Sequence, residues 1–255
     1  MPSKSFVCVL VVLGLLSGTA QAQTPDDALA QACPGIARWQ AAEQQTHADQ
    51  TDAAMAARDA HRHLSAPEAR RQLLQRLRAD QDARDAAIAA SKLPAGHDTA
   101  RKSAFQRVTQ VDGDNLAWLE ARVATSGFPT VLEVGEQGMA AAFLLVQHAD
   151  RDPAFQSRVL SMLAARGPDM GIRKSEFAML TDRVLHAQGK PQRYGTQFMP
   201  DPAHPGQLKM DPVEDPAGLD RRRAAMELPP IDDYRCVLRA MYGTSASKAP
   251  ASAHG

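Results

Sequence analysis

Apolar positions recur at helical spacing along most of the chain. An alternating pattern survives for no more than a few residues near Tyr194–Phe198. Ser65-Ala-Pro-Glu68 reads as a capping box with proline early in the first turn, and Leu73, Leu74, Leu77 and Ile88 continue one stripe behind it. Leu93-Pro-Ala-Gly-His-Asp98 breaks the pattern. Asp114 is positioned to cap a helix carrying Leu116, Trp118, Leu119 and Val123, which Gly127 ends. Gly138 to Ala149 is apolar almost all round, the mark of a buried central helix. Asp152-Pro153 is an N-cap followed by proline at the first helical position, opening a helix with Phe155, Val159, Leu160, Met162 and Leu163. Ser175 to Gln188 carries Phe177, Leu180, Val184 and Leu185 and stops at Gly189. Five prolines lie in residues 199–218, which read as an extended surface loop. Asp215-Pro216 restarts a helix to about Met226, and a last one holds Ile231, Tyr234, Val237, Leu238 and Met241.

The fold class expected from this pattern is mainly α, a compact helical domain with an N-terminal helical extension and a Pro-rich surface loop. Composition divides the chain further. Residues 23–92 are rich in Ala, Gln, Arg and Asp, whereas 10 of the 12 aromatic residues lie between Phe105 and Tyr242. The expected organisation is a helical extension at 23–92, a linker at 93–106, a helical core at 107–243 and a disordered Ser/Ala/Lys/Pro tail at 244–255.

The first 22 residues read as a secretory signal. Lys4 supplies the positive start, Phe6–Leu16 is an apolar run of 11 residues, and Ala20-Gln21-Ala22 is a small-x-small cleavage site. That run is about half of what a bilayer span needs. The expected product is exported, periplasmic or secreted, with no membrane span in the mature chain. Export makes the cysteine count informative. Cys8 leaves with the signal, and the remaining pair, Cys33 and Cys236, reads as one disulfide, with two free thiols as the alternative.

Charge removes one function class. Of 255 residues 29 are Lys or Arg and 29 Asp or Glu, so the chain lacks the basic footprint of a nucleic-acid binder. No H-E-x-x-H, G-x-S-x-G, P-loop or G-x-G-x-x-G is present, and paired Cys/His metal spacing is missing. The sequence therefore calls for no cofactor and no metal, and any site must be assembled from scattered residues. Four places stand out. Gln147-His148-Ala149-Asp150 puts polar groups at the tip of an apolar helix. There His148 is either a base or ligand, or a histidine that satisfies terminal carbonyls. In Leu180-Thr-Asp-Arg-Val184, Thr181 falls on the apolar face, Asp182 can pair with His186 four residues on, and Arg183 lies on another side. The loop Gly189–Gln197 concentrates Gln192, Tyr194, Thr196 and Gln197, which either face a ligand or satisfy buried backbone. Asp220-Arg-Arg-Arg223 offers Arg221 as an anion fork, or a self-neutralised solvated helix.

The strings Ala-Ala-Phe-Leu-Leu-Val-Gln-His-Ala-Asp150, Asp152-Pro-Ala-Phe-Gln156, Leu180-Thr-Asp-Arg-Val-Leu185 and Gly189-Lys-Pro-Gln-Arg-Tyr-Gly-Thr-Gln197 resemble an uncharacterised bacterial family, domain of unknown function 6624. Pro212-Val-Glu-Asp-Pro216 and Leu219-Asp-Arg-Arg-Arg223 fit the same pattern, so the resemblance covers roughly residues 107–238. It implies one helical domain in which the polar motifs belong together, and it implies no activity. Two functions stay open. One is a periplasmic binding or interaction module for an unknown protein or small-molecule ligand. The other is a hydrolase-like enzyme in which His148 is the base, Asp150 or Asp182 orients it, and the 189–197 loop with Arg221 holds substrate.

Overall fold

In the computed structural model the described residues are 25–204 and 207–242. The expected signal at 1–22 and tail at 244–255 lie outside them. The fold is mainly α: the described residues form ten α-helices, three short 3-10 turns and one two-stranded sheet. The chain forms two compact units. One comprises His47–Gln188, and the other joins the residues before it to those after it.

The His47–Gln188 unit holds α3 (Asp52–Ala60), α4 (Pro67–Ser91), α5 (Asp98–Ser126), α6 (Val131–Gln147), α7 (Pro153–Ala164) and α8 (Lys174–Ala187). Its core is built from Leu73 of α4, Leu119 and Val123 of α5, Phe143 of α6 and Phe155 and Leu163 of α7. The break at Leu93–Asp98 is thus a turn inside one core. It is not a division between compact units, and α4 from the supposed extension contributes a fully buried leucine.

Several boundaries differ from the sequence reading. Ala66, not Ser65, is the N-cap of α4, and no side chain caps it. Pro67 holds the first position, as expected for a residue without an N–H to lose. The Ser65 and Ala66 N–H groups instead donate to the Leu132 and Glu133 carbonyls. Asp114 caps nothing, because α5 runs unbroken for 29 residues through Gly113 and Asp114. Its buried positions Val111, Asn115, Leu119 and Val123 follow each other every four residues across that point, so packing overrides the local breaker.

Helix α6 begins earlier than its apolar run. Thr130 and Glu133 form a true capping box, with the Glu133 N–H 3.3 Å from Thr130 Oγ1 and the Thr130 N–H 2.9 Å from Glu133 Oε2. Gly135 then leaves helical geometry at φ 74°, ψ 175°. The helix restarts at Glu136, and its new N–H groups need acceptors. Asp59 of α3 supplies both, accepting from Glu136 N at 2.8 Å and Gln137 N at 3.0 Å. Asp152 caps α7 as expected, accepting from the Phe155 N–H at 2.9 Å.

The second unit holds α1 (Pro25–Ala32), α2 (Pro34–Thr46), β1 (Phe198–Pro200), β2 (Leu208–Met210), α9 (Leu219–Ala225) and α10 (Ile231–Tyr242). The strands pair antiparallel with Phe198 opposite Met210, and the Phe198 ring meets Tyr234 edge-on at 5.8 Å. A small apolar cluster of Cys33, Ile36 and Val237 joins the two sequence-distant parts, and the Cys33–Cys236 disulfide staples it.

Candidate functional site

Polar groups gather between α4, α5 and the C-terminal end of α6. Residues 73, 77, 80, 84 and 87 of α4 follow at steps of three and four, so Asp80 and Arg84 stand in line with the leucine stripe that enters the core. Asp80 is fully buried. His148 is the residue that ends α6, and its ring is turned into the molecule with only 6% of the side chain exposed. Its Nδ1 lies 2.9 Å from Asp80 Oδ1. The ring therefore does not satisfy the terminal carbonyls of α6. Gln156 of α7 does so, donating to the Val146 and Gln147 carbonyls at 3.0 and 3.2 Å.

Arg84 ties the centre together. Its Nε lies 3.3 Å from each Asp80 oxygen and 3.0 Å from His148 Nδ1, and its Nη2 donates to Asp112 Oδ1 of α5 at 2.6 Å. Gln81 donates to the other Asp80 oxygen at 2.8 Å. The Asp80 contact favours one imidazole tautomer, whereas a bare Nδ1 would accept from Arg84 Nε. The guanidinium only donates and the carboxylate only accepts, so a proton on Nδ1 satisfies Asp80 and lets Arg84 bond the carboxylate beside it. A bare Nδ1 would set a lone pair against the Asp80 oxygen. With Nδ1 protonated, Nε2 makes no hydrogen bond to a described residue.

The two carboxyls respond in opposite directions. Burial pushes the Asp80 carboxyl up, but the His148 hydrogen bond and the charges of His148 and Arg84 outweigh it and hold it below the usual carboxylate range. Burial wins at Asp112, which sits above that range despite Arg84, with Asp80 and Asp150 adding repulsion. Asp150 is likewise raised by burial. It is ion-paired to Arg183, and burial lowers that guanidinium to about 10. Asp80, Asp112 and His148 each bring one ligand-type atom within 4.8 Å of the others.

Of the residues singled out in the sequence, His148, Asp150, Asp182 and Arg183 lie in the His47–Gln188 unit. Asp182 is completely buried, and Arg183 is buried as well. Thr181, expected on the apolar face, is half-buried and donates to the Phe177 carbonyl at 2.8 Å. Gln192, Tyr194, Thr196, Gln197 and Arg221 belong to the other unit. There Gln192 is a backbone staple. Its Nε2 donates to the Gln197 and Asp211 carbonyls at 3.0 and 3.1 Å, and its Oε1 accepts from the Gln197 N–H at 2.7 Å. The Tyr194 carbonyl accepts from Arg223 at 2.7 Å. Gln197 donates its amide to the Thr196 hydroxyl at 3.1 Å. Arg221 is exposed, whereas Arg223 is the buried member of its triplet, holding the Pro229 carbonyl at 2.6 Å. The loop motif thus has a backbone-satisfying explanation. Asp80, Arg84 and Asp112 were missed, although the charged pair in register with Leu73 and Leu77 is a readable signal.

The fold and this centre define a helical protein with an ionic core shared by three helices. The chain belongs to the family of unknown function DUF6624, whose model matches residues 67–247. The match begins at α4 and so takes in Asp80 and Arg84 along with Asp112, His148, Asp150 and Arg183. Comparison with curated proteins and with solved structures finds no match.

Proposed function

We propose that this is an exported binding protein whose ligand site is the polar centre around His148. The carrying observation is that one guanidinium, Arg84, contacts Asp80, Asp112 and His148 at once, on three different helices. Burying ionised groups costs several kcal/mol each unless they are well compensated, and an apolar core of the same volume is often at least as stable. Three helices that converge ionisable side chains on one place, with Arg84 and Asp112 still reached by solvent, support a ligand rather than a packing role. Export is supported by the reading of residues 1–22, and the disulfide is compatible with it. Among the described residues no helix is long and apolar enough to cross a membrane. A thermal-shift screen of small polar ligands on residues 23–255 tests the reading, since a binder of the folded state raises the midpoint. The shift is expected to vanish in His148→Gln. A ligand whose shift is unchanged in that variant binds elsewhere and counts against the site.

A second reading is favoured by the Asp80–His148 alignment. An imidazole oriented through Nδ1 by a buried carboxylate presents Nε2 as a proton acceptor, the arrangement of a general base. On this reading the protein is hydrolase-like and His148 takes a proton from water. A panel of chromogenic ester, phosphate and glycoside substrates should then show turnover that His148→Gln abolishes. The residues for this role reduce to His148 and Asp80, because the 189–197 loop has its own structural duties.

A further inference from the structure

Resting on the reading of this centre as a ligand site, we propose that Asp80, Asp112 and His148 bind a divalent transition-metal ion, taken up in exchange for the Arg84 guanidinium. Two carboxylates and one imidazole form a donor set suited to zinc or manganese, and three protein ligands leave a position open for water or substrate. Their ligand atoms already lie within 4.8 Å of one another. Atoms bound to one ion at about 2.1 Å stand about 3.4 Å apart in a tetrahedron, so the set needs to contract modestly. The Asp80 Oδ1 to His148 Nδ1 pair, at 2.9 Å, needs no contraction.

Arg84 marks the position. Among the described residues it is the cation in contact with all three groups, with Nε against Asp80 and His148 and Nη2 donating to Asp112. Its hold on Asp80 is long, at 3.3 Å to both oxygens, and its Nη1 bonds no described residue. The side chain is 29% exposed, so it can swing into solvent without crossing the core. The exchange conserves protons. The Nδ1 proton now donated to Asp80 moves to Nε2, the other neutral tautomer, and the freed Nδ1 lone pair meets the ion. Asp80 and Asp112 remain carboxylates and trade one cation for another.

Calorimetric titration of untagged, disulfide-intact, chelator-treated protein with Zn²⁺ and with Mn²⁺ tests this. One ion per chain is expected for at least one of the metals. Asp112→Asn and His148→Gln should each weaken it by roughly tenfold or more. Arg84→Met should tighten it by roughly tenfold, because the competing charge is gone. A merely structural Arg84 would not produce that gain. With Co²⁺, visible d–d absorption should appear and be lost in His148→Gln. Circular dichroism of each variant establishes that it is folded. Absence of saturable binding in both wild type and Arg84→Met overturns the proposal, as does binding indifferent to Asp112→Asn and His148→Gln. A polar ligand that still shifts the chelator-treated protein through His148 would leave the ligand site standing while the metal falls.

Discussion

The carboxylate of Asp59 occupies the space that a side chain at position 135 would need. A Cβ on Gly135 would lie 2.5 Å from Asp59 Oδ2 and 2.6 Å from Arg70 Nη1. The two residues solve one problem together. Gly135 breaks α6 at a backbone angle that L side chains rarely adopt, and Asp59 caps the restarted helix through the Glu136 and Gln137 N–H groups. Arg70 closes the corner, bonding Asp59 at 2.5 Å and the Val134 carbonyl at 2.9 Å. Gly135→Ala is therefore expected to cost on the order of 3 kcal/mol, from the strained angle and the clash. Asp59→Ala should cost about as much, since it strands Arg70 and two helix N–H groups. Denaturant titration of both variants checks this, and a change below about 1 kcal/mol in either would contradict the paired role.

How far this was readable depends on the kind of signal. The local cap at Asp152-Pro153 survives in the structure, with donor and acceptor three residues apart, whereas those read at Ser65 and Asp114 do not. Caps supplied from afar leave no local trace. Asp59 is 77 residues from the N–H it satisfies, and nothing around Asp59 itself announces that duty. The apolar run of α6 located the central helix, while its kink needed a partner on another element. His148 was visible as a polar tip on an apolar helix. Its partners Asp80 and Arg84 carry a signal, their register with Leu73 and Leu77, but it is outweighed by an Ala, Gln and Arg composition that resembles a solvated face. The loop at Gly189–Gln197 looked like a ligand loop for a physical reason: amides that hold a backbone turn and amides that hold a ligand are the same residues.

The Asp80–His148 pair leads to a stability pattern. His148→Ala removes a hydrogen bond to a buried charge and should lower stability by about 1–3 kcal/mol. Asp80→Ala should cost more, roughly 3–5 kcal/mol, because Arg84 and the imidazole both lose a buried carboxylate. The double variant should cost less than the sum, the mark of two residues that share one interaction. Equilibrium unfolding of the three variants measures the coupling. Strict additivity would place His148 and Asp80 in independent roles. Nitrogen NMR of the imidazole gives a separate check, with the proton expected on Nδ1.

The disulfide joins residues 203 positions apart and both of its ends lie in the same compact unit. Among the described residues the apolar cluster it staples has three buried members, Cys33, Ile36 and Val237. Closing so long a loop in the unfolded chain is worth about 5 kcal/mol in the chain-entropy account. Reduction, or Cys33→Ser with Cys236→Ser, should therefore lower the melting midpoint clearly and open residues 25–46 to limited proteolysis before residues 67–187. Equal protease resistance in reduced and oxidised protein would show that the cluster holds the segment unaided.

Stability should peak on the acid side of neutrality, because the carboxyls fall into two opposed groups. Asp59 is raised by burial, but this is outweighed by the Glu136 and Gln137 N–H groups and Arg70, so it lies below its ordinary value. Asp80 is low for the reasons given, and Glu136 is lowered first by its hydrogen bond from Arg58. A carboxyl lowered in the folded state stabilises it above the unfolded value, and that contribution is lost as pH falls through the folded one. These three make the protein lose stability below about pH 4. Asp112, Asp150 and Glu176 are raised by burial and act in reverse. Each costs stability at neutral pH, and the cost is relieved as pH falls through its raised value toward the ordinary one. The expected profile rises as pH falls from neutrality and turns down below about pH 4. Asp112→Asn should flatten the rise, and Asp59→Asn should flatten the acid limb. A wild-type profile that declines steadily from pH 7 would mean that the raised carboxyls of the centre are already compensated at neutrality.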